Sequence, residues 1–328
     1  MRRGTAVFLV VCAVAAPVAA WRYLFRSQGG ATAAAATALS VERLPRPAGV
    51  VGAARAVCAA GDVLAACFDD GSLVVRRAGA VVRLAPPEEG EGFRQAAAFP
   101  DGRVIALSQR GRLYDVRDGA ATPLSARAQS GSRMVAVPQS DAVWIAGEAG
   151  RLRHFDLVSA AFTDVGEGGE APTSALAATP SLAIVGRVDG VVRYGALGGT
   201  LADALVLPAE VTAVAASGPW VAAGTADGEV RTKRPKTNPS GASAKVSGRV
   251  VALALPAADD AHPAAHDPLL VVHEPAAATL LYSGAYEFRE SVALAGRPLC
   301  GCPLPSGQGL YVGLENGDEV LVRVVRAR

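Results

Sequence analysis

The sequence predicts an all-β fold of seven four-stranded units, on two observations. A hairpin signal recurs at intervals of about 40 residues, and a short apolar segment precedes each copy. In "VAAGTADGEVRTK" (221–233), an apolar run leads into Asp227-Gly228 and then into a second, alternating run. An Asp-Gly pair between strand-like runs predicts a hairpin, because glycine adopts positive φ without steric cost.

Six copies of this hairpin carry a glycine in the turn, namely Gly71, Gly111, Gly150, Gly190, Gly228 and Gly317. The last interval is about twice the others, which places one further copy inside it. That copy is the degenerate stretch 269–284, where Pro275 replaces the turn glycine. The spacing therefore predicts seven repeats.

A fourth strand completes most repeats, as "AVVRLA" (80–85) does in the first. Four short strands at this period predict the blades of a β-propeller, whose sheets bury their faces against neighbouring blades. The seventh repeat ends after its third strand, and an open edge strand invites aggregation. The strand candidate "ALSVERL" (38–44) is predicted to supply the missing outer strand, so that the propeller spans residues 38–328 and closes as a ring.

The blade pattern resembles the seven-bladed WD-repeat-type β-propeller family. "TADGEV" and "DDGSLVV" resemble that family's turn between second and third strands, and "AAFPDG" and "AVPQSD" resemble its first strand and following turn. The chain is divergent, because no repeat has a Trp-Asp dipeptide or a Gly-His pair. Only Tyr114-Asp115 and Phe155-Asp156 place an aromatic residue before an aspartate near the expected point. The resemblance implies a scaffold that holds protein partners on its loop faces.

The N-terminal segment "MRRGTAVFLVVCAVAAPVAAWRYLFR" (1–26) predicts an apolar helix that acts as a signal anchor or a signal peptide. We favour a retained single-pass anchor, followed by a flexible linker over residues 27–37. The alternatives are cleavage after Ala20 and a mitochondrial presequence. The expected location is a membrane of the secretory pathway, or the bacterial inner membrane with the propeller in the periplasm.

The charge balance argues against nucleic acid as a partner. The chain has 32 Lys and Arg against 30 Asp and Glu, and Arg2, Arg3, Arg22 and Arg26 all precede the first acidic residue, Glu42. The predicted propeller therefore has no basic excess of the kind that phosphate backbones require.

Two charged groups of loop residues are candidate interaction surfaces. A possible interaction loop follows the third strand of repeat five and contains Arg231, Lys233, Arg234 and Lys236. A possible acidic face lies in the connections between repeats and contains Glu88, Glu89, Glu91, Glu167 and Glu170. By the resemblance, links between blades share one face with the second-to-third strand turns, and the basic loop lies on the opposite face. The basic face is expected to look toward the membrane and the acidic face toward a partner.

The histidines and cysteines of the sequence give weaker evidence for a functional site. His262 and His266 lie in an insertion (256–268) whose prolines disfavour the helix that a paired metal site would need, so a surface loop is preferred. The four cysteines of repeats one and seven are expected to be inert core thiols, with a disulfide across the seam as the alternative. No catalytic or dinucleotide motif is found. The sequence thus predicts no cofactor and no enzyme; the alternative is a lumenal or periplasmic enzyme or small-ligand binder that acts at the channel mouth.

Overall fold

A computed structural model describes residues 37–88, 90–129, 131–147, 150–165, 171–233, 242–255, 268–282 and 288–326. These residues contain 28 strands in seven antiparallel sheets of four, and each sheet is called a blade. Residues 39–324 form one compact unit; the rest of the chain belongs to a second unit, of which only the strand residues 37–38 and 325–326 are described. The seven-bladed prediction is confirmed.

Each of the first six blades follows chain order from its inner to its outer strand. Blades 1 to 3 consist of β2 (Ala54–Ala60), β3 (Val63–Phe68), β4 (Leu73–Arg77), β5 (Ala80–Leu84); β6 (Phe93–Ala98), β7 (Val104–Ser108), β8 (Arg112–Arg117), β9 (Ala120–Arg127); and β10 (Arg133–Ala136), β11 (Ala142–Ala146), β12 (Leu152–Asp156), β13 (Ala161–Asp164). Blades 4 to 6 consist of β14 (Thr173–Ala178), β15 (Ala183–Arg187), β16 (Val191–Gly195), β17 (Ala202–Val206); β18 (Val211–Ser217), β19 (Trp220–Thr225), β20 (Glu229–Lys233), β21 (Ala242–Lys245); and β22 (Val250–Ala254), β23 (Pro268–His273), β24 (Ala277–Tyr282), β25 (Phe288–Ala293).

The seventh blade closes the ring as the sequence predicts. It contains β26 (Pro298–Pro303), β27 (Gly309–Leu314) and β28 (Glu319–Arg326), and its outer strand is β1 (Thr37–Leu44) from the start of the described chain. First strands of neighbouring blades contact one another all the way round, including β2 with β26. The N-terminal strand therefore removes the open edge that the truncated seventh repeat would leave.

The turn glycines adopt the backbone conformation that the repeat requires. Gly228 has φ +87°, and a Cβ there would lie 2.3 Å from the carbonyl oxygen of Val246. The other five turn glycines also have positive φ, between +70° and +86°. L-residues rarely adopt this conformation, so both the backbone and the space demand glycine.

The core lies between the blades. The described residues form seven clusters of buried apolar side chains, and each cluster draws on two neighbouring blades. Alanine and valine dominate because the sheets stack closely: a Cβ on Gly224 would lie 2.4 Å from a methyl carbon of Val250 in the next blade. Small residues are therefore needed where neighbouring blades contact each other, because protein interiors are close-packed.

A buried ion pair joins the first and last blades. Arg76 on β4 donates from Nε and Nη2 to the two carboxylate oxygens of Glu319 on β28, each at 3.0 Å. Arg76 also donates to the carbonyl of Pro45 at 2.7 Å, and the Tyr311 hydroxyl donates to Glu319. Arg76 is 7% exposed and Glu319 is 1% exposed. An exposed pair, Arg323 with Glu42 at 3.1 Å, spans β28 and β1 on the same blade.

The predicted N-terminal helix and most of the linker lie outside the described residues. Within the described part of the chain, no helix is long and apolar enough to cross a membrane. The insertion with His262 and His266 also lies outside that part.

Candidate functional site

The seven first strands surround a central channel of about 610 Å³. Each of these strands is the inner edge of its blade, so its small side chains face the neighbouring blades and the lumen. Ala56, Ala96, Ala136, Ala177 and Ala215 are among the residues that line it. The wall is thus built largely from backbone and small side chains, most of them apolar.

One mouth of the channel is basic. An arginine stands at or just before the first strand in five of the seven blades, namely Arg55, Arg94, Arg133, Arg249 and Arg297. Because each blade is antiparallel, the start of its first strand lies at the same face as the turn between its second and third strands. The arginines therefore gather at the face of the hairpin turns and the links between blades. We call this opening the arginine mouth.

Three of these arginines have carboxylate partners from the chain itself. The ion pairs are Arg55 with Asp69 at 2.5 Å, Arg249 with Glu210 at 3.6 Å, and Arg297 with Glu274 at 2.9 Å. The Arg55 guanidinium, through its hydrogen bond, lowers the pKa of Asp69 below its usual range. These carboxylates come from hairpin turns and strand starts, so the rim already uses guanidinium–carboxylate pairing.

Arg94 and Arg133 differ from the other three. Both are exposed, and no ion pair or side-chain hydrogen bond joins either of them to another residue that the structure describes. Desolvation by the surrounding channel lowers the pKa of Arg133, and the like charges of Arg94 and Arg249 lower it further. Arginine nevertheless stays protonated at neutral pH because its ordinary pKa is above about 12. The arginine mouth therefore holds two cationic groups whose charge is not paired within the described chain.

The opposite mouth has different chemistry. Among the described residues that line the channel there, Gly61, Pro100, Pro138, Pro305 and Gly307 are uncharged. Of the described residues that line the channel, the charged ones thus lie at the arginine mouth.

The structure describes two of the five predicted acidic-face residues. Glu88 is exposed and accepts a hydrogen bond from Arg112 at 2.6 Å. Glu91 is 2% exposed and accepts from the Ser108 hydroxyl at 2.6 Å, so its carboxylate is internal and adds no charge to a surface. Glu89, Glu167 and Glu170 lie outside the described residues. The face that the sequence marks as acidic thus has a basic centre.

The predicted basic loop is described only at its start. Arg231 and Lys233 lie at the end of β20, while Arg234 and Lys236 fall outside the described residues. Arg231 donates to Glu229 at 2.5 Å and to the carbonyl of Val206 at 3.1 Å. Its charge is therefore partly neutralised within the blade, and Lys233 is half-buried at the point where the strand ends.

The four cysteines of blades 1 and 7 are free thiols. Burial raises the pKa of Cys58 and of Cys300 to about 12, against weaker opposing hydrogen bonds from the backbone. Burial also raises the pKa of Cys67 and of Cys302 well above the ordinary value. Thiols that stay protonated at neutral pH are poor nucleophiles and poor metal ligands.

Other polar groups are placed apart from one another. Tyr114 and Phe155, from the two aromatic–aspartate pairs, are buried core residues. Within the described part of the chain, no group of three or more His, Cys, Asp or Glu side chains is arranged to hold a metal ion. The arginine mouth is accordingly the strongest candidate site, and its chemistry is the binding of negative charge.

The residues predicted from the sequence as interaction surfaces do not include these five arginines. A signal was present, because "ARAV" (54–57), "FRQA" (93–96), "SRMV" (132–135), "GRVV" (248–251) and "GRPL" (296–299) each place an arginine at the start of a first strand. One arginine in such a position is unremarkable in itself. Its repetition in a closed ring brings side chains from distant parts of the sequence to one opening.

Comparison with known proteins gives structural likeness alone. No protein-family model and no curated protein matches the sequence. A chain in the crystal structure of a mitotic checkpoint complex is similar at a TM-score of 0.70 and 17% identity, with 86% of this chain and 90% of that chain covered. U3-55K is similar at 0.73 and 10% identity, with 86% and 98% covered. The RRP9 WD40 repeats are similar at 0.73 and 10% identity, with 87% and 97% covered. The fold of this chain is thus a seven-bladed β-propeller like that of these structures.

Proposed function

We propose that this chain is a non-enzymatic protein–protein interaction scaffold, tethered to a membrane by its N-terminal residues. The observation that most supports the scaffold is that charged side chains are concentrated in the loops and at one mouth of the channel and not along the channel wall. The channel wall is built largely from backbone and small apolar side chains, whereas charged side chains lie at the arginine mouth and in the loops, where a partner can contact them. One similar structure belongs to a mitotic checkpoint complex, which is a multi-component assembly. Because one fold hosts many functions, that likeness supports the proposal only by analogy.

The two loop faces are the proposed docking surfaces. On one face, the loop with Arg231, Lys233, Arg234 and Lys236 contacts acidic protein or lipid. On the other, Glu88 and the loops between blades surround the arginine mouth. Exposed loop side chains can contact a partner without disturbing the blades, because the core lies between the sheets.

Affinity purification tests the scaffold directly. The full chain carries a C-terminal tag, is extracted in mild detergent, and the co-purifying proteins are identified by mass spectrometry. A scaffold enriches at least one protein in near-stoichiometric amount. Arg231→Ala with Lys233→Ala reduces that enrichment if the basic loop is used, whereas Arg323→Ala, an exposed arginine on β28, does not. Purification of the chain without any stoichiometric protein contradicts the proposal.

The membrane tether is proposed from the sequence of residues 1–26. Val10→Arg with Val11→Arg places two charges in the middle of the apolar run, where each costs roughly 2.5–3.5 kcal/mol in a bilayer. We expect the unchanged chain to stay in the membrane pellet after an alkaline wash and the double variant to leave it. The mass of the mature protein separates the alternatives. An intact N-terminus supports the anchor, whereas an N-terminus at Trp21 shows a cleaved signal, and a later one favours a mitochondrial presequence.

The second candidate is a small-ligand binder or an enzyme that acts at the channel mouth. The unpaired arginines Arg94 and Arg133 favour it, because convergent polar groups at one opening suit a small anion. Native mass spectrometry of the purified chain distinguishes the candidates. A retained small molecule that Arg133→Ala releases supports the binder, and a retained protein supports the scaffold.

A further inference from the structure

We propose that the arginine mouth binds an acidic segment of a partner protein, whose aspartate or glutamate side chains pair with Arg94 and Arg133. This inference rests on the scaffold function proposed above and names the chemistry of the partner. It assigns the partner to the hairpin-turn face, at the axis of the ring, rather than to the basic loop.

The charge balance of the mouth is the first support. Five arginines lie at this face, of which Arg55, Arg133 and Arg249 line the channel, and the chain supplies carboxylates to three of the five. Arg94 and Arg133 have none among the described residues, and the like charges of Arg94 and Arg249 repel Arg133. A ligand carboxylate between them replaces this repulsion by attraction, and hydrogen bonds to charged groups are among the stronger ones in proteins.

The pairing that the rim already makes indicates which anion fits. Asp69, Glu210 and Glu274 each approach an arginine of this mouth from a turn or a strand start. A guanidinium has a planar fork of donors that matches a carboxylate, and the chain satisfies the neighbouring positions in this way. We therefore expect Arg94 and Arg133 to bind carboxylates as well, supplied by another molecule.

The shape of the opening favours a peptide over a small ion. Arg94 and Arg133 come from neighbouring blades, and both side chains are exposed, although Arg133 also lines the channel. Below them the channel of about 610 Å³ is lined by small apolar side chains such as Ala96 and Ala136. An extended segment can place acidic side chains on the arginines and an apolar one in the channel, whereas an inorganic ion uses only the rim.

The test measures binding of fluorescein-labelled decaglutamate to the full chain in mild detergent by fluorescence anisotropy. We expect saturable binding at 50 mM salt that weakens at 300 mM salt, and no binding of decalysine. Arg94→Ala and Arg133→Ala each weaken binding by roughly tenfold or more, on the scale of a charge-assisted hydrogen bond. Arg323→Ala is the matched control and leaves binding unchanged, because Arg323 is an exposed arginine away from the mouth.

Substitution by lysine adds a second readout. Arg94→Lys and Arg133→Lys keep the charge but lose the planar fork, so they should bind between the wild type and the alanine variants. Thermal melts of all variants check that the propeller stays folded. Exposed side chains without partners are not expected to change the melting temperature.

Several results would overturn the inference. These are absence of decaglutamate binding, equal weakening by Arg323→Ala, displacement by 1 mM inorganic phosphate, or equal affinity for a ten-nucleotide oligothymidylate. Retention of every co-purified protein by the Arg94→Ala, Arg133→Ala double variant would also overturn it, while the scaffold function would stand. If the unchanged chain enriches no protein at all, the scaffold function fails, whatever the peptide does.

Discussion

Replacing Arg76 by methionine removes the buried charge that joins blade 1 to blade 7. Arg76 forms two hydrogen bonds of 3.0 Å to Glu319, and both residues are almost fully buried. In Arg76→Met, the Glu319 carboxylate keeps only the Tyr311 hydroxyl among the side-chain partners described for it. Removing one partner of a buried ion pair typically costs about 3–5 kcal/mol, because the other charge stays desolvated and uncompensated. We expect a loss of that size in the free energy of unfolding.

Two comparisons isolate the buried charge from other effects. Arg323→Met removes an exposed ion pair with Glu42 on blade 7, and exposed pairs contribute about 1 kcal/mol or less. The double variant with Arg76→Met and Glu319→Gln has no charge to compensate, while glutamine keeps an oxygen for the Tyr311 hydroxyl. It should therefore be more stable than Arg76→Met alone.

Urea denaturation of the full chain, followed by tryptophan fluorescence and checked by thermal melting, gives the required free energies. The coupling energy of Arg76 and Glu319 then follows from the double-mutant cycle. The reasoning is refuted if Arg76→Met costs no more than Arg323→Met. It is also refuted if the losses of the two single variants simply add in the double variant.

Three further changes test single features of the fold. Tyr311→Phe removes one donor to Glu319 and should cost about 1–2 kcal/mol in urea denaturation. Gly228→Ala combines backbone strain with a steric clash and should lower the free energy of unfolding by at least about 2 kcal/mol. Gly79→Ala is the control: its φ is +81°, but no atom lies within 4 Å of the added Cβ, so only the strain of about 1 kcal/mol is expected. The pKa values of Cys58 and Cys300, raised by burial to about 12, mean that the unfolded chain loses these protons first above pH 9. Stability should therefore fall from pH 9 toward pH 12, by up to about 1.4 kcal/mol per pH unit for each thiol, and less steeply once both are alanine.

Local sequence signals were sufficient for the fold because the repeat obeys local rules. Gly71 and Gly228 occupy turns that need positive φ, and such turns can be read from a few residues. The edge-pairing rule then identified residues 38–44 as the closing strand. Both predictions rest on constraints that the blades share, so a departure in one repeat, such as Pro275 in place of the turn glycine, did not affect the count.

The site could not be read in the same way, because its residues meet only after closure. Arg94 and Arg133 belong to different repeats, and nothing local shows that their side chains share an opening. Glu91 was grouped with surface acids from its position in a link, yet Ser108 in the neighbouring strand holds it inside. The ion pair of Arg76 with Glu319 spans 243 residues of sequence. Such contacts depend on ring geometry, which the repeat period does not specify.

Because β1 pairs with β28, the seventh blade is expected to form after the other six. Strand β1 is made before every other described strand, yet its neighbour in the sheet is β28, which is the last described strand to be made. Blades 1 to 6 each pair only strands that are consecutive in sequence, so they can form as the chain emerges. The seventh blade can form only when both β1 and β28 have been made. A chain that has not yet reached β28 therefore keeps its seam open, and synthesis of that strand is itself the event that allows the ring to close.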